Sequence, residues 1–209
     1  MHARDETDLL YNGYFGIPDF IIALTAVSMF ASTVRKQPGD PTYWIPFNSL
    51  SLLRYAAGAL LLAVSLLFSL RRDEVTYYLL SLIGMAVFIG GAVFFFGAKS
   101  PLSRIIATGG ENGTELSPSG FYRYCRHPLY FGLLLCAAGL ATDLASPAGI
   151  AVVAAVVLPV LLRSSRSTDI YWRSKTGDVY LSYMNSVNAL IPSFRKRWKG
   201  SNSQVVEKI

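Results

Sequence analysis

Residues 120–132, Gly-Phe-Tyr-Arg-Tyr-Cys-Arg-His-Pro-Leu-Tyr-Phe-Gly, concentrate the ionisable chemistry of a chain that has little of it. Arg123, Arg126 and His127 stand there among Tyr122, Tyr124 and Tyr130, and the apolar run Leu133-Leu134-Leu135 follows at once. The chain of 209 residues has only two histidines, so His127 is half of its imidazole. Arginine holds carboxylates and phosphates, and imidazole exchanges protons near neutrality. Pro128 biases His127 toward an extended backbone and suits the first position of a helix, which would present Arg126 and His127 at a helix mouth. Such a place suits a ligand with a polar head and an apolar neighbour. Composition alone describes an anchoring arginine with belt tyrosines equally well.

A helix mouth needs helices. The chain is 52% hydrophobic and 15% charged, against about 25% charged in soluble domains, which points to an integral membrane protein. Five runs approach the roughly 20 apolar residues that cross a hydrocarbon core of about 30 Å. They cover about 16–34, 50–70, 76–97, 129–145 and 149–162. The first opens on Ile17-Pro18-Asp19, a favourable helix start. Arg54 lies near one end of the second and reads as a snorkelling residue. The second and third are expected to form a hairpin across Arg71-Arg72-Asp73-Glu74. The last two must be antiparallel, and are short enough to be tilted or kinked at Pro159.

Between 98 and 128, Gly109, Gly110, Gly113, Pro118 and Gly120 are expected to break any long helix or strand. Residues 163–199 are basic and aromatic, with Tyr171, Trp172, Tyr180, Tyr183, Phe194 and Trp198, a mixture that suits a helix lying at the membrane interface. The expected fold is therefore all-α: one membrane-embedded domain over 1–209, an integral membrane bundle of about five transmembrane helices with a C-terminal interfacial helical segment.

Lys and Arg in the short loops set orientation. With the C-terminus cytoplasmic, the inner side receives Arg35, Lys36, Lys99, Arg104, Arg123, Arg126 and the basic tail, while the outer side keeps Arg4, Arg71 and Arg72. A multi-pass chain with its N-terminus outside is the expectation, and it puts residues 120–132 on the cytoplasmic face. The first eight residues carry Asp5, Glu6 and Asp8 in place of a basic n-region, so no cleaved signal peptide is expected. The net charge of +6 is assigned to the membrane surface and not to nucleic acid, since no basic domain with aromatic platforms accompanies it. Cys125 and Cys136 have neither disulfide-framework nor metal-ligand spacing, so both are expected reduced and no metal site is expected. Rossmann, P-loop and serine hydrolase motifs are missing.

The pattern Gly120-x-Tyr122-x-x-x-Arg126-His127-Pro128-x-Tyr130-x-Gly132 resembles the signature of the isoprenylcysteine carboxyl methyltransferase and phospholipid methyltransferase superfamily of membrane enzymes. A second half is similar too: Gly177, Tyr180, Tyr183 and Leu190-Ile191-Pro192 stand in the family's register. Thr168 and Asp169 occupy the place of its glutamate pair, and Trp172 and Thr176 replace a leucine and a phenylalanine. Sterol and steroid reductases that use NADPH carry a related pattern with an asparagine and a glutamate, but Leu129 and Leu133 stand at those positions here. An inactive lipid- or partner-binding member of the same fold is a further alternative.

The resemblance implies S-adenosylmethionine as cofactor, with a pocket completed by the 98–128 loop and the 163–209 tail. Methyl transfer demands alignment and a dry site more than a strong base. On this reading Arg126, His127 and Asp169 are the central residues. Arg126 and His127 take the anionic or polar end of the cofactor, Asp169 its ammonium, and Tyr122, Pro128, Tyr130, Gly132 and Tyr180 shape the slot. Arg163 and Arg166, at spacings of three before Asp169, are expected to share its face and, with Tyr183, to bind substrate. The acceptor is expected to be lipid-like or a small hydrophobic molecule: a prenylcysteine carboxylate, a phospholipid amine or similar.

Overall fold

The computed structural model describes residues 49–67, 74–99, 105–110 and 113–193. The expected first span at 16–34, and Phe194 and Trp198 of the tail, lie outside the described residues. In chain order the elements are α1 (Ser49–Leu67), α2 (Glu74–Lys99), β1 (Ile105–Gly110), β2 (Gly113–Pro118), a 3₁₀ turn (Gly120–Arg123), α3 (Pro128–Asp143), α4 (Pro147–Val152), a π turn (Val153–Val157), α5 (Leu158–Thr176) and α6 (Asp178–Ser186). The described residues are mostly helical, as expected.

Helix α3 is the centre of the bundle, and α2 packs along it antiparallel. Glycines set how close the two come. A Cβ on Gly91 would meet the Gly132 carbonyl oxygen at 2.7 Å, and one on Gly139 would meet the Gly84 carbonyl oxygen at 2.7 Å and the Phe88 nitrogen at 2.6 Å. Gly84 and Gly91 on one helix thus interlock with Gly139 and Gly132 on the other, each pair seven residues apart, the small-residue contact by which helices approach in lipid. At the far end Ser81 Oγ donates to Asp143 Oδ1 over 2.7 Å, which partners a carboxylate that is fully buried.

Helices α1 and α2 were expected to pair as a hairpin, but each packs on α3 instead, and α1 also lies against α4, the π turn and α5. The closest fit of small residues in α2 is with α3, while Ser65 of α1 meets Gly149 at the start of α4. The helix of the fifth apolar run does not end at 162. It continues through the π turn into α5 as far as Thr176, past the end of the apolar residues, with Leu158 N–H donating back five residues to the Val153 carbonyl. Pro159 has no N–H and its ring crowds the preceding turn, so the widened turn relieves the helix at the position where a kink was expected.

Among the described residues, Tyr78–Lys99 and Pro147–Ser174 are long and apolar enough to cross a membrane, while Leu52–Ser65 and Pro128–Asp143 are shorter apolar helices. Large apolar side chains face outward along α2, among them Leu79, Leu82, Ile83, Val93 and Phe96, while Arg54 and Asp143 lie inside. That inversion is what lipid solvation selects. Two inner hydroxyls of α5 are satisfied within their own helix: Ser164 Oγ donates to the Val160 carbonyl at 2.8 Å and Thr168 Oγ1 to that of Ser164 at 3.0 Å.

The stretch expected to break any long helix or strand holds two short strands, paired as an antiparallel ribbon registered from Ile105 opposite Pro118 to Gly110 opposite Gly113. Its glycines sit at the ribbon's tip, where a tight reversal needs them, rather than interrupting it. Strand β2 lies beside α6.

Candidate active site

The two halves of the signature meet through the backbone. Arg126 N–H donates to the Asn188 carbonyl at 2.9 Å, His127 N–H to that of Ala189 at 3.0 Å, and Ser193 N–H to that of Tyr124 at 3.0 Å. Cys125 Sγ adds a bond to the Leu190 carbonyl at 2.8 Å. These bonds hold the segment before Pro128 while Pro128, at the first turn of α3, starts the helix without an N–H to satisfy. Burial pushes the Cys125 thiol up to about 12, against smaller opposing effects of the His127 backbone and Arg126.

Helix α5 supplies the acid. Asp169, 9% exposed, faces inward and gathers three donors. His127 Nε2 lies 2.9 Å from its Oδ1, the Tyr180 hydroxyl donates to the same oxygen at 2.7 Å, and Arg126 Nη2 stands 3.4 Å from Oδ2. A carboxylate only accepts, so the hydrogen of the His127 ring sits on Nε2, and Nδ1 is the nitrogen left to take a proton. Arg126 Nε and Nη1 are buried and make no hydrogen bond.

Tyr180 reaches back to Asp169 because Gly177 reverses the chain between α5 and α6 at φ 61°, a conformation that favours glycine. Burial first, then the Asp169 carboxylate, pushes the Tyr180 hydroxyl far above the ordinary tyrosine range, so it stays a donor. Tyr183 is wholly buried and gives its hydroxyl to the Tyr122 carbonyl at 2.6 Å, which ties α6 to the 3₁₀ turn. Trp172 stacks on Tyr180 with ring centroids 6.4 Å apart and planes 20° apart. Trp172, Tyr180 and Tyr183 form a second core with Tyr122 and Val187.

Tyr130 lies on the inner face of α3, its hydroxyl 3.4 Å from Thr168 Oγ1 and its ring 5.7 Å from that of His127. Arg54 Nη1 donates to the same hydroxyl at 3.2 Å. Arg54, expected to snorkel, is only 2% exposed. A lone arginine inside an apolar span was itself the signal, since such residues face a bundle interior.

The remaining expected residues fall elsewhere. Gly132 lies in the α2 contact, where an added Cβ would sit 2.6 Å from the Phe95 nitrogen. Arg163 and Arg166 are exposed while Asp169 is buried, so the expected common face does not form. Each step of three residues falls short of a full helical turn by about 60°, so two steps place Arg163 about 120° from Asp169. Ser165, one turn before Asp169, is the neighbour that faces inward. Leu129 and Leu133 are buried in the apolar core and bring no polar group to the site.

No curated protein and no solved structure matches the chain significantly. The phospholipid methyltransferase family model matches residues 79–166, which run from α2 to the first half of α5 and include the whole of 120–132. By that match, which covers less than half of the chain, and by the signature it contains, the chain is similar to the superfamily of membrane methyltransferases that comprises the phospholipid and isoprenylcysteine carboxyl enzymes.

Proposed function

We propose that the protein transfers a methyl group from S-adenosylmethionine to a lipid-like or small hydrophobic acceptor at the cytoplasmic face of a membrane, with its N-terminus outside. The observation that carries this reading is the buried juxtaposition of Arg126 and Asp169, 3.4 Å apart. The amino-acid end of the cofactor bears an ammonium and a carboxylate, and a site for it needs both signs of charge. Asp169 Oδ2, with one charged neighbour at 3.4 Å, has accepting capacity left for the ammonium. Arg126 keeps two buried donors without partners, enough for the carboxylate. The residues present therefore fit the cofactor.

Bound there, S-adenosylmethionine supplies an electrophilic methyl whose bond to sulfur breaks as a bond to the acceptor forms, leaving a neutral thioether. Alignment and exclusion of water are the chain's part in this. Trp172, Tyr180 and Tyr183 close the site on the side of α6, and the backbone bonds to residues 188–193 hold Arg126 and His127 in place. A carboxylate acceptor needs no base. For an amine or thiol acceptor the proton passes to His127 Nδ1, with Asp169 holding the ring in the tautomer that leaves this nitrogen free.

Calorimetric titration of the detergent-purified chain with S-adenosylhomocysteine and, separately, NADPH tests the reading. Binding of S-adenosylhomocysteine is expected. Binding of NADPH alone would replace this proposal with a reductase, and binding of neither with an inactive member of the fold.

A further inference from the structure

Beyond Leu162 the outward side of α5 turns from apolar to charged. Arg163, Arg166, Ile170 and Arg173 are all exposed there, Ile170 by 70%. At about 100° per residue the four fall within an arc of about 80°, so they form one stripe along the helix. Ser164, Ser165 and Trp172, on the other side, are buried and hold α5 to the bundle. Asp169 is the only acidic residue of α5, and it is engaged by Arg126, His127 and Tyr180. Among the described residues no carboxylate lies within ion-pair distance of Arg163, Arg166 or Arg173. Three like charges along about 15 Å of helix repel one another unless an anion is brought to them.

The depth of the stripe says what that anion is. Pro147–Ser174 is a helical stretch of 28 residues long and apolar enough to cross a membrane. At 1.5 Å per residue it measures about 42 Å, more than a hydrocarbon core of about 30 Å and close to the about 40–45 Å of a bilayer with its headgroups. Its apolar residues come first, as far as Leu162, so the arginines stand at its end, in the headgroup layer of one leaflet. Lipid phosphates lie at that level. An exposed isoleucine among arginines suits a lipid, which carries apolar carbons beside its phosphate, and the arginine stems add to that apolar contact.

We propose that the Arg163, Arg166, Ile170 and Arg173 face of α5 is a docking surface for anionic phospholipid of the surrounding leaflet, held by its phosphate and selected over zwitterionic lipid. A guanidinium grips phosphate oxygens through paired N–H groups. A choline headgroup brings a cation of its own, which the neighbouring arginines repel, whereas a glycerol headgroup brings none. The surface is separate from the Asp169 pocket and does not rest on the methyl-transfer reading.

The test reconstitutes the full chain in bilayers of equal parts phosphatidylcholine and phosphatidylglycerol with matched acyl chains. After extraction in neutral maltoside, native mass spectrometry counts the lipid that stays bound. The wild type is expected to retain phosphatidylglycerol over phosphatidylcholine by at least about fivefold. Changing all three arginines to glutamine should bring the ratio to within about twofold of one, while changing all three to lysine should keep most of the preference. Arg123→Gln, Lys199→Gln and Lys208→Gln together remove the same charge outside the stripe and should leave the ratio within about twofold of wild type. No preference in the wild type overturns the proposal whatever the variants do, and leaves the stripe to an acidic protein partner. A preference that survives the triple glutamine change overturns it by locating the lipid elsewhere. Equal loss in the charge-matched control overturns it by making the effect one of net charge. S-adenosylhomocysteine affinity of the triple glutamine variant should stay within about twofold of wild type; a loss comparable to that of Asp169→Ala overturns the proposal by assigning the stripe to the Asp169 pocket.

Discussion

His127 Nε2 lies 2.9 Å from Asp169 Oδ1, a contact between residues 42 positions apart that joins the two halves of the signature in one buried group. Asp169 stands where the resemblance places one of the family's two glutamates, and Thr168 beside it lies 3.4 Å from the Tyr130 hydroxyl.

Replacing Asp169 by alanine strips the acceptor from Arg126, His127 and Tyr180 together. S-adenosylhomocysteine affinity should fall about tenfold or more, since a buried cation loses its counter-charge. Asp178→Ala, at an exposed position, should change it by less than about twofold. Calorimetry on both variants checks this, and equal losses would show that the second half of the signature is misregistered.

Tyr180→Phe keeps the stack on Trp172 and removes one donor from a buried carboxylate. A hydrogen bond to a charged group contributes about 1.5–3 kcal/mol, so thermal unfolding should shift downward by that order. An unchanged melting temperature would mean that Asp169 finds its third donor elsewhere.

The α2–α3 contact predicts a sharp asymmetry among glycines on one helix. Gly91→Ala must push α3 away, because its Cβ would fall 2.7 Å from the Gly132 carbonyl, whereas Gly90→Ala meets nothing within 4 Å. Overpacking costs about 1–3 kcal/mol, while alanine in an open helical position is favoured by up to about 1 kcal/mol. Thermal unfolding in detergent should therefore move in opposite directions for adjacent residues.

Cys125 should resist alkylation. With its thiol pushed up to about 12 by burial, the thiolate is about one part in ten thousand at pH 8, and the reactive form grows only as pH rises toward that value. Mass spectrometry after iodoacetamide treatment should find Cys125 unmodified in the folded protein and modified once it is denatured. Ready modification of the folded chain at pH 8 would contradict the backbone pairing of residues 124–127 with 188–193.

Arg163→Ala and Arg166→Ala, alone or together, should leave S-adenosylhomocysteine affinity within about twofold of wild type, because both side chains are exposed while Asp169 is buried, and they stand about 120° and 60° round α5 from it. A loss comparable to that of Asp169→Ala would mean that the helix is rotated from the position described.

Much was legible in the sequence because it is a property of short segments. Apolar runs marked α1 to α5 to within a few residues at most ends, and Pro128 marked the start of α3. Hydropathy counts residues along a run and carries no azimuth, so it could not tell that Arg54 turns inward while Leu52 and Leu53 turn out, or that Arg163 and Arg166 leave the face of Asp169. Nor could it show that Gly84 and Gly91 seat against Gly139 and Gly132 and draw α2 to α3 in place of α1. Those outcomes are decided by which surfaces fit closely enough to exclude lipid, a comparison between segments 40 to 80 residues apart. A lone arginine in an apolar run could hint at an interior place, but only tertiary structure set Arg54, read as a snorkelling residue, beside Tyr130.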